Sequence, residues 1–199
     1  VRDMPSLKIL ECKNCELVTL SSFKHIKKDH YKNSKMHGKF FDFDKWKEES
    51  YKDDLRRIKQ FKKIINNKDL LDFGCGAGGF LELSNSITKK SYGFDPDISI
   101  KKYWQNKLKI FNKINEIKIK FDVITMFHVL EHLTNPIETL NKLKKYLKKD
   151  GVIIIEVPNS DDALIKLYNS KAFQNFTYWS NHVFLYNIYN LRELLIKSN

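Results

Sequence analysis

The sequence predicts an α/β fold with a doubly wound, mostly parallel sheet and a short helical appendage on its N-terminal side. Three observations carry this reading. From Asp69 onward, short apolar runs alternate with stretches of helical texture. The runs are DLLDFG (69–74), SYGFD (91–95), KFDVITMF (120–127) and GVIIIEVP (151–158), and the stretches between them are Gly79–Ser86, Ile98–Gln105 and Pro136–Leu147. Strand–helix–strand alternation at this spacing implies parallel pairing through crossover helices. The chain also holds seven glycines, and four fall in one window, LLDFGCGAGGF (70–80), where the first run turns into a helix. Finally, 42% of the residues are hydrophobic and 13% aromatic, enough for a core in a chain of 199 residues.

Taken in order, residues 1–23 hold a CxxC, ECKNCELVTL, and residues 24–66 form a charged, aromatic region with a helix over Trp46–Ile65. Residues 67–199 form the α/β domain, with a weak strand at Lys109–Phe111. Asn135-Pro136-Ile137-Glu138 reads as an N-cap, a proline at the first helical position and a glutamate at the third. Gly151 in KKDG reads as that helix's stop signal. Asn159, Ser160, Asp161 and Asp162 are starts for a helix at Ala163–Tyr168, and a last helix covers Asn190–Ile196.

Bulk properties narrow the function. No run approaches the length of a membrane span, and VRDMPSLK has no apolar signal-peptide core. The chain opens on Val1, so residues before it are expected. Three cysteines, Cys12, Cys15 and Cys75, make no disulfide framework and suit a reducing, cytoplasmic setting. The net charge of +12 favours an anionic partner. The lysines are scattered rather than gathered in one stripe, which argues against nucleic acid as that partner.

The glycine turn is the strongest local signal. Glycines let a ligand approach the backbone where a Cβ would collide, and a helix N-terminus behind them offers unpaired N–H groups. Gly74-x-Gly76-x-x-Gly79 fits a dinucleotide fingerprint. Asp72-x-Gly74-x-Gly76-x-Gly78 fits motif I of S-adenosylmethionine (SAM)-dependent methyltransferases equally well. Asp95, 21 residues after Gly74, suits a carboxylate accepting from a ribose diol. Asp72 separates the two alternatives, because it would repel a pyrophosphate but could meet an ammonium group.

With YGFDPD, KFDVITMFHVLEHLTNP and KKDGVIIIEVPNS following in order over residues 69–160, the chain resembles a class I SAM-dependent methyltransferase of the small-molecule type. The resemblance implies a Rossmann-like sheet with SAM across the C-terminal strand ends. It implies that Asp72, Gly74, Cys75, Gly76 and Gly78 cradle the methionine part, that Asp95 with Pro96 holds the ribose, and that Phe127 and His128 line the cofactor. The adenine-side acid is missing from KIFNKINEI, where Asn112 is the expected substitute. His128 and His182 are the expected general bases for a hydroxyl acceptor. Tyr31, Met36, Trp46, Arg57, Tyr178 and Trp179 are expected to wall the substrate pocket, with 30–46 as a lid. Glu131 and His132, adjacent on a helix and so about 100° apart, are expected to shape its start rather than to share an ion.

ILECKNCELVTL resembles one knuckle of the N-terminal zinc ribbon found ahead of many such enzymes. Cys12 and Cys15 are then a partial zinc site whose other ligands are expected upstream. The class also implies a closing antiparallel hairpin beyond residue 199, without which a sheet edge is left open. By this resemblance the expected reaction is O-methylation of a small, anionic acceptor used in capsule or cell-surface carbohydrate biosynthesis. The alternatives are an RNA or protein methyltransferase and an NAD-binding oxidoreductase.

Overall fold

The computed structural model describes residues 1–27, 29–32, 42–105 and 107–198. In chain order the strands are β1 (Ile9–Glu11), β2 (Val18–Leu20), β3 (Asp69–Phe73), β4 (Lys90–Phe94), β5 (Ile110–Phe111), β6 (Phe121–Phe127), β7 (Leu147–Glu156) and β8 (Phe184–Leu185). The helices are α1 (Phe43–Ile65), α2 (Gly79–Ser84), α3 (Ile98–Trp104), α4 (Pro136–Lys144), α5 (Ala163–Lys166), α6 (Lys171–Thr177) and α7 (Ile188–Lys197). They group into two compact units, each drawn from separated stretches of the chain: Asp29–Phe127 with Lys144–Ile155, and Val1–Lys28 with His128–Leu143 and Glu156–Asn199.

The first unit is built on a five-stranded sheet in the order β5-β4-β3-β6-β7. Leu70, Leu71, Asp72 and Phe73 of β3 are all buried, as a central parallel strand covered on both faces must be. β3 pairs in parallel with β4 and β6, so that Asp72 lies opposite Gly93 on one side and Thr125 on the other. One face packs Ile65, Leu70, Phe80, Val123 and Phe127 against Ile58 and Phe61 of α1. A second cluster gathers Cys75, Leu81, Ile100, Trp104, Leu108 and Ile110. α1 begins at Asp42, whose carboxylate accepts from the Lys45 backbone N–H at 3.0 Å, and it extends earlier than the expected start at Trp46.

The expected end of α4 is corrected. The helix stops at Lys144 rather than Leu147, and residues 147–150 already belong to β7, so Gly151 is not a helix stop. Two interactions draw this segment into the sheet. The Phe121 N–H donates to the Tyr146 carbonyl at 2.8 Å, and Lys148 Nζ bridges Asp69 at 2.6 Å and Asp122 at 2.8 Å. The lysine run with the texture of a helical C-terminus supplies a cation between two strand-start acids.

The second unit contains a sheet not expected from the sequence, β1-β2-β8, antiparallel throughout. Val18 and Leu20 are its buried residues on β2. α7 opens with a capping box between Asn187 and Asn190, whose side chain also donates to the Cys15 carbonyl at 3.3 Å. The CxxC turn is thereby tied to the C-terminal helix. α5 is shorter than the expected Ala163–Tyr168, and α6 follows it with Ser170 as its cap. Among the described residues, no helix is long and apolar enough to cross a membrane.

Candidate functional site

The glycine turn follows β3 directly, and its glycines Gly74, Gly76 and Gly78 have φ of +79°, +51° and +79°. This left-handed region is costly for residues with a Cβ. The turn is held from the neighbouring strand, because the Gly74 and Cys75 N–H groups both donate to the Phe94 carbonyl, at 2.7 and 3.1 Å. A Cβ on Gly76 would come within 2.7 Å of the Trp46 ring, and one on Gly78 within 2.5 Å of Trp104 Nε1. Trp104 in turn donates to the Ala77 carbonyl at 3.0 Å. Two indoles therefore pack directly against the loop, that of Trp104 from within the core. Trp46, expected as a pocket wall, is placed over Gly76 itself.

Asp95 sits at the end of β4 and grips this loop. One carboxylate oxygen accepts from the Gly76 N–H at 3.1 Å and the other from the Asp97 N–H at 2.9 Å. Burial pushes its carboxyl up to about 6, against the lowering effect of those two N–H groups. Each carboxylate oxygen has a second lone pair, so acceptor capacity remains for a diol. Pro96 separates Asp95 from Asp97, and Asp97 caps α3 by accepting from the Ser99 N–H at 2.9 Å. Asn112 spends its amide nitrogen on the Asp95 and Asp97 carbonyls, at 2.8 and 3.0 Å, and so braces the acid-bearing loop. The Lys32 carbonyl accepts from Ile98 at the start of α3, which brings the Tyr31–Lys32 turn to the same corner. Met36 lies outside the described residues, as does most of the expected lid.

Asp72 is 3% exposed and accepts from the Thr125 hydroxyl at 2.7 Å. Burial pushes its carboxyl up to about 7; the charges of Asp54 and Asp95 push the same way, while Thr125 and Arg57 oppose. Three acids thus act on one small region. Only one buried cation, Arg57, opposes them among the described residues, and its Nη1 is 3.0 Å from Asp54 Oδ1 with its guanidinium 4.8 Å above the Phe127 ring. The Asp54 carboxylate lies where a Cβ on Gly79 would stand. Such a site suits a ligand carrying a positive group near Asp72 and hydroxyls near Asp95.

Two expected cradle residues face elsewhere. The Cys75 side chain lies in the core cluster with Leu81 and Ile100, so this residue enters the turn only through its backbone. Phe127 packs on Phe61 and edge-on to Phe80, with ring centroids 5.8 and 4.9 Å away, as a core residue.

The second unit brings three histidines, His128, His132 and His182, around Glu131. His128 has φ of +54°, unusual for a side-chain-bearing residue and a mark of functional sites. Its Nδ1 is 3.2 Å from Glu131 Oε1 and its Nε2 3.5 Å from Glu156 Oε1, with the side chain 48% exposed. Glu131 and His132 lie on a 3₁₀ turn, Leu130–His132, not on the expected α-helix, and their donor atoms converge with one of His182 within 4.8 Å of one another. The expectation that adjacent residues diverge is thus corrected. It assumed α-helical spacing, whereas the tighter turn and the arrival of the 178–187 segment bring the groups together. His132 Nδ1 donates to the Asn181 carbonyl at 2.9 Å and His182 Nδ1 to the Thr177 carbonyl at 2.7 Å. Burial pushes His132 down to about 4 and lowers His182. Glu131 is held below its ordinary value, because three imidazoles outweigh its complete burial. Trp179 packs edge-on to both His132 and His182 beneath the Arg2 guanidinium, and Tyr178 caps α6 beside it.

Cys12 and Cys15 are exposed thiols, with Cys12 lowered by backbone N–H donors of Asn14 and Cys15. Among the described residues they meet no third ligand, and His25 is engaged with the Ser180 carbonyl at 2.7 Å. Sequence reasoning missed Asp54, Thr125, Trp104 and the Glu131–His132–His182 convergence. Asp54 and Arg57, three apart on one helix face, carried a signal; the others depend on register.

A family model described as "Methyltransferase domain" matches residues 43–199. Among curated proteins, an uncharacterized protein of Methanocaldococcus jannaschii is 32% identical over 145 residues, 62% of this chain and 62% of that protein. A tRNA U34 carboxymethyltransferase of Campylobacter lari is 29% identical, over 68% of this chain and 50% of its own. A ubiquinone biosynthesis O-methyltransferase of Pelagibacter ubique is 32% identical, over 52% and 47%. The chain thus spans between about half and three-fifths of the length of these relatives. Among solved structures, a SAM-dependent methyltransferase from Archaeoglobus fulgidus superposes with a TM-score of 0.58 at 24% identity, over 83% of this chain and 71% of that one. An O-methyltransferase family protein from Burkholderia thailandensis does so with 0.60 at 13%, over 78% and 53%. These likenesses establish the fold.

Proposed function

The chain belongs to the methyltransferase-domain family, and on that premise we propose that it binds SAM at the turn after β3 and methylates a small hydroxyl-bearing acceptor. The observation that carries the reading is the acidic, left-handed turn, in which Asp95 holds the Gly76 N–H and Asp72 stands buried beside it. These residues fit the cofactor, because an acidic cradle whose one buried cation among the described residues, Arg57, is paired with Asp54 suits an ammonium and a ribose better than a pyrophosphate.

When bound, SAM supplies a methyl group activated on a sulfonium. Asp72 offers its carboxylate to the ammonium, Asp95 accepts from the ribose hydroxyls, and Asn112 keeps Asp95 in place. His128 takes the acceptor proton, with Glu131 and Glu156 stabilising the imidazolium that forms. Burial lowers His182, which makes it a weaker base than a free imidazole. Tyr31, Trp46 and Arg57 remain proposed substrate-pocket residues of the first unit, and Tyr178 and Trp179 those of the second. The +12 charge supports an anionic acceptor. A cell-surface carbohydrate precursor is supported only by the resemblance of the CxxC segment, and Cys12 with Cys15 would supply half of a tetrahedral zinc site.

A second reading, an RNA acceptor, is favoured by the relative from Campylobacter lari and by the same charge. Incubation with methyl-labelled SAM separates them. Label is expected in acidic sugars or sugar phosphates, and label in a tRNA fraction would redirect the assignment.

A further inference from the structure

Glu131 is fully buried, 0% exposed, and divides its two oxygens between different surroundings. Oε1 faces His128 Nδ1 at 3.2 Å, while Oε2 has no hydrogen-bond partner among the described residues. A buried carboxylate oxygen left in that state is costly, so it calls for a partner. One ligand atom each of Glu131, His132 and His182 lies within 4.8 Å of the other two. Both imidazoles are held through Nδ1 by main-chain carbonyls, at 2.9 and 2.7 Å. Such a bond fixes the neutral tautomer, with the proton on Nδ1 and the lone pair on Nε2, and it is the support that metal-binding histidines typically have.

We infer that Glu131 Oε2, His132 Nε2 and His182 Nε2 form a binding site for one divalent transition ion in the second unit. Two imidazoles and a carboxylate select zinc, cobalt or manganese over magnesium and calcium, which prefer all-oxygen shells. Three protein ligands leave a coordination position open, as in zinc sites that bind water or a small ligand. The ion joins the Leu130–His132 turn to the 177–186 segment, adding to the Val183 N–H on the Glu131 carbonyl at 2.8 Å and to His132 Nδ1 on the Asn181 carbonyl at 2.9 Å. Glu131 also ties the ion to His128 through its other oxygen, so the ligand and the proposed base share one carboxylate.

The site stands apart from Cys12 and Cys15 and does not depend on the methyl-transfer reading. The test uses the full chain, purified without a histidine tag and stripped with chelator. Titration with Zn²⁺ and Co²⁺ is followed by calorimetry, by cobalt d–d absorption and by thermal melting. One ion per chain is expected, with a raised melting temperature and a four- or five-coordinate cobalt spectrum. Cys12→Ser/Cys15→Ser is expected to keep this ion. His182→Ala and Glu131→Gln are each expected to weaken binding at least tenfold while the far-ultraviolet circular dichroism is unchanged. Wild-type protein that binds no Zn²⁺ or Co²⁺, or binding lost in the cysteine variant and kept in His182→Ala, would overturn the assignment.

Discussion

Asp72→Asn is expected to stabilise the ligand-free protein at alkaline pH and to weaken SAM binding at the same time. The folded protein raises the Asp72 carboxyl from 3.8 to about 7, mainly through burial. An acid whose folded value is raised binds more protons folded than unfolded between those two limits. Wild-type stability therefore falls as pH rises through that window, and above pH 7 the penalty corresponds to about 4 kcal/mol. The substitution removes it. The Thr125 hydroxyl can still donate, now to the amide oxygen, but the new NH₂ lacks an assured acceptor, which costs about 1–3 kcal/mol. The net expectation is a gain of about 1–3 kcal/mol at pH 8, or roughly 2–4 °C in Tm per kcal/mol for a chain of this size, shrinking as pH falls and becoming a loss of about 1–2 kcal/mol near pH 4, where the wild-type carboxyl is protonated and only the amide cost is left. For SAM, losing a charge-assisted contact of about 1.5–3 kcal/mol gives a roughly 10- to 100-fold weaker Kd. Wild-type affinity should also fall about tenfold per pH unit below 7, whereas the variant should stay flat until Asp95, at about 6, begins to protonate. Differential scanning calorimetry and titration calorimetry across pH 5–8 read both effects. A lower Tm at pH 8 together with unchanged SAM affinity would refute the placement of Asp72 as a buried carboxylate awaiting a cation.

Further outcomes follow from the same geometry. Gly76→Ala puts a Cβ at φ +51° and within 2.7 Å of Trp46, so it should cost about 1–3 kcal/mol; Trp46→Ala in the same chain should recover the steric part, read by urea melts as a double-mutant cycle. Arg57→Met leaves Asp54 buried beside a missing partner 3.0 Å away and should lose about 3–5 kcal/mol, much of it regained in Asp54→Asn/Arg57→Met; equal Tm values for the single and double variants would contradict this. His128→Gly relieves the left-handed φ, worth up to about 1 kcal/mol, but strips the buried Glu131 Oε1 of its partner, which costs about 1–3 kcal/mol; stability should fall modestly and the methyl-transfer rate about 10²-fold, with free imidazole partly restoring the rate.

Much of the first unit is legible in the sequence because its signals are local. An apolar run ending in glycines, then a helix, then an acid at the next strand's end is a pattern of neighbours along the chain. Asp72, Gly76 and Asp95 can therefore be picked out by their spacing. What the chain conceals depends on register and on long-range return. Thr125 meets Asp72 only because β3 and β6 pair with those two residues opposite. β1, β2 and β8 are two or three residues long, too short for periodicity to show. Glu131, His132 and His182 converge because a segment about fifty residues downstream folds back against a 3₁₀ turn, which helical spacing rules misjudge. Lys148 misleads in the opposite direction, since a lysine run before glycine is a helix-end signal unless strand acids claim it.

Whether the turn after β3 holds SAM is tested most directly by titration calorimetry of the wild-type chain with SAM and, separately, with NAD. One SAM site per chain is expected, lost or at least tenfold weaker in Asp95→Ala, with no heat of binding from NAD. Binding of NAD without SAM, or SAM binding indifferent to Asp95→Ala, would contradict the assignment.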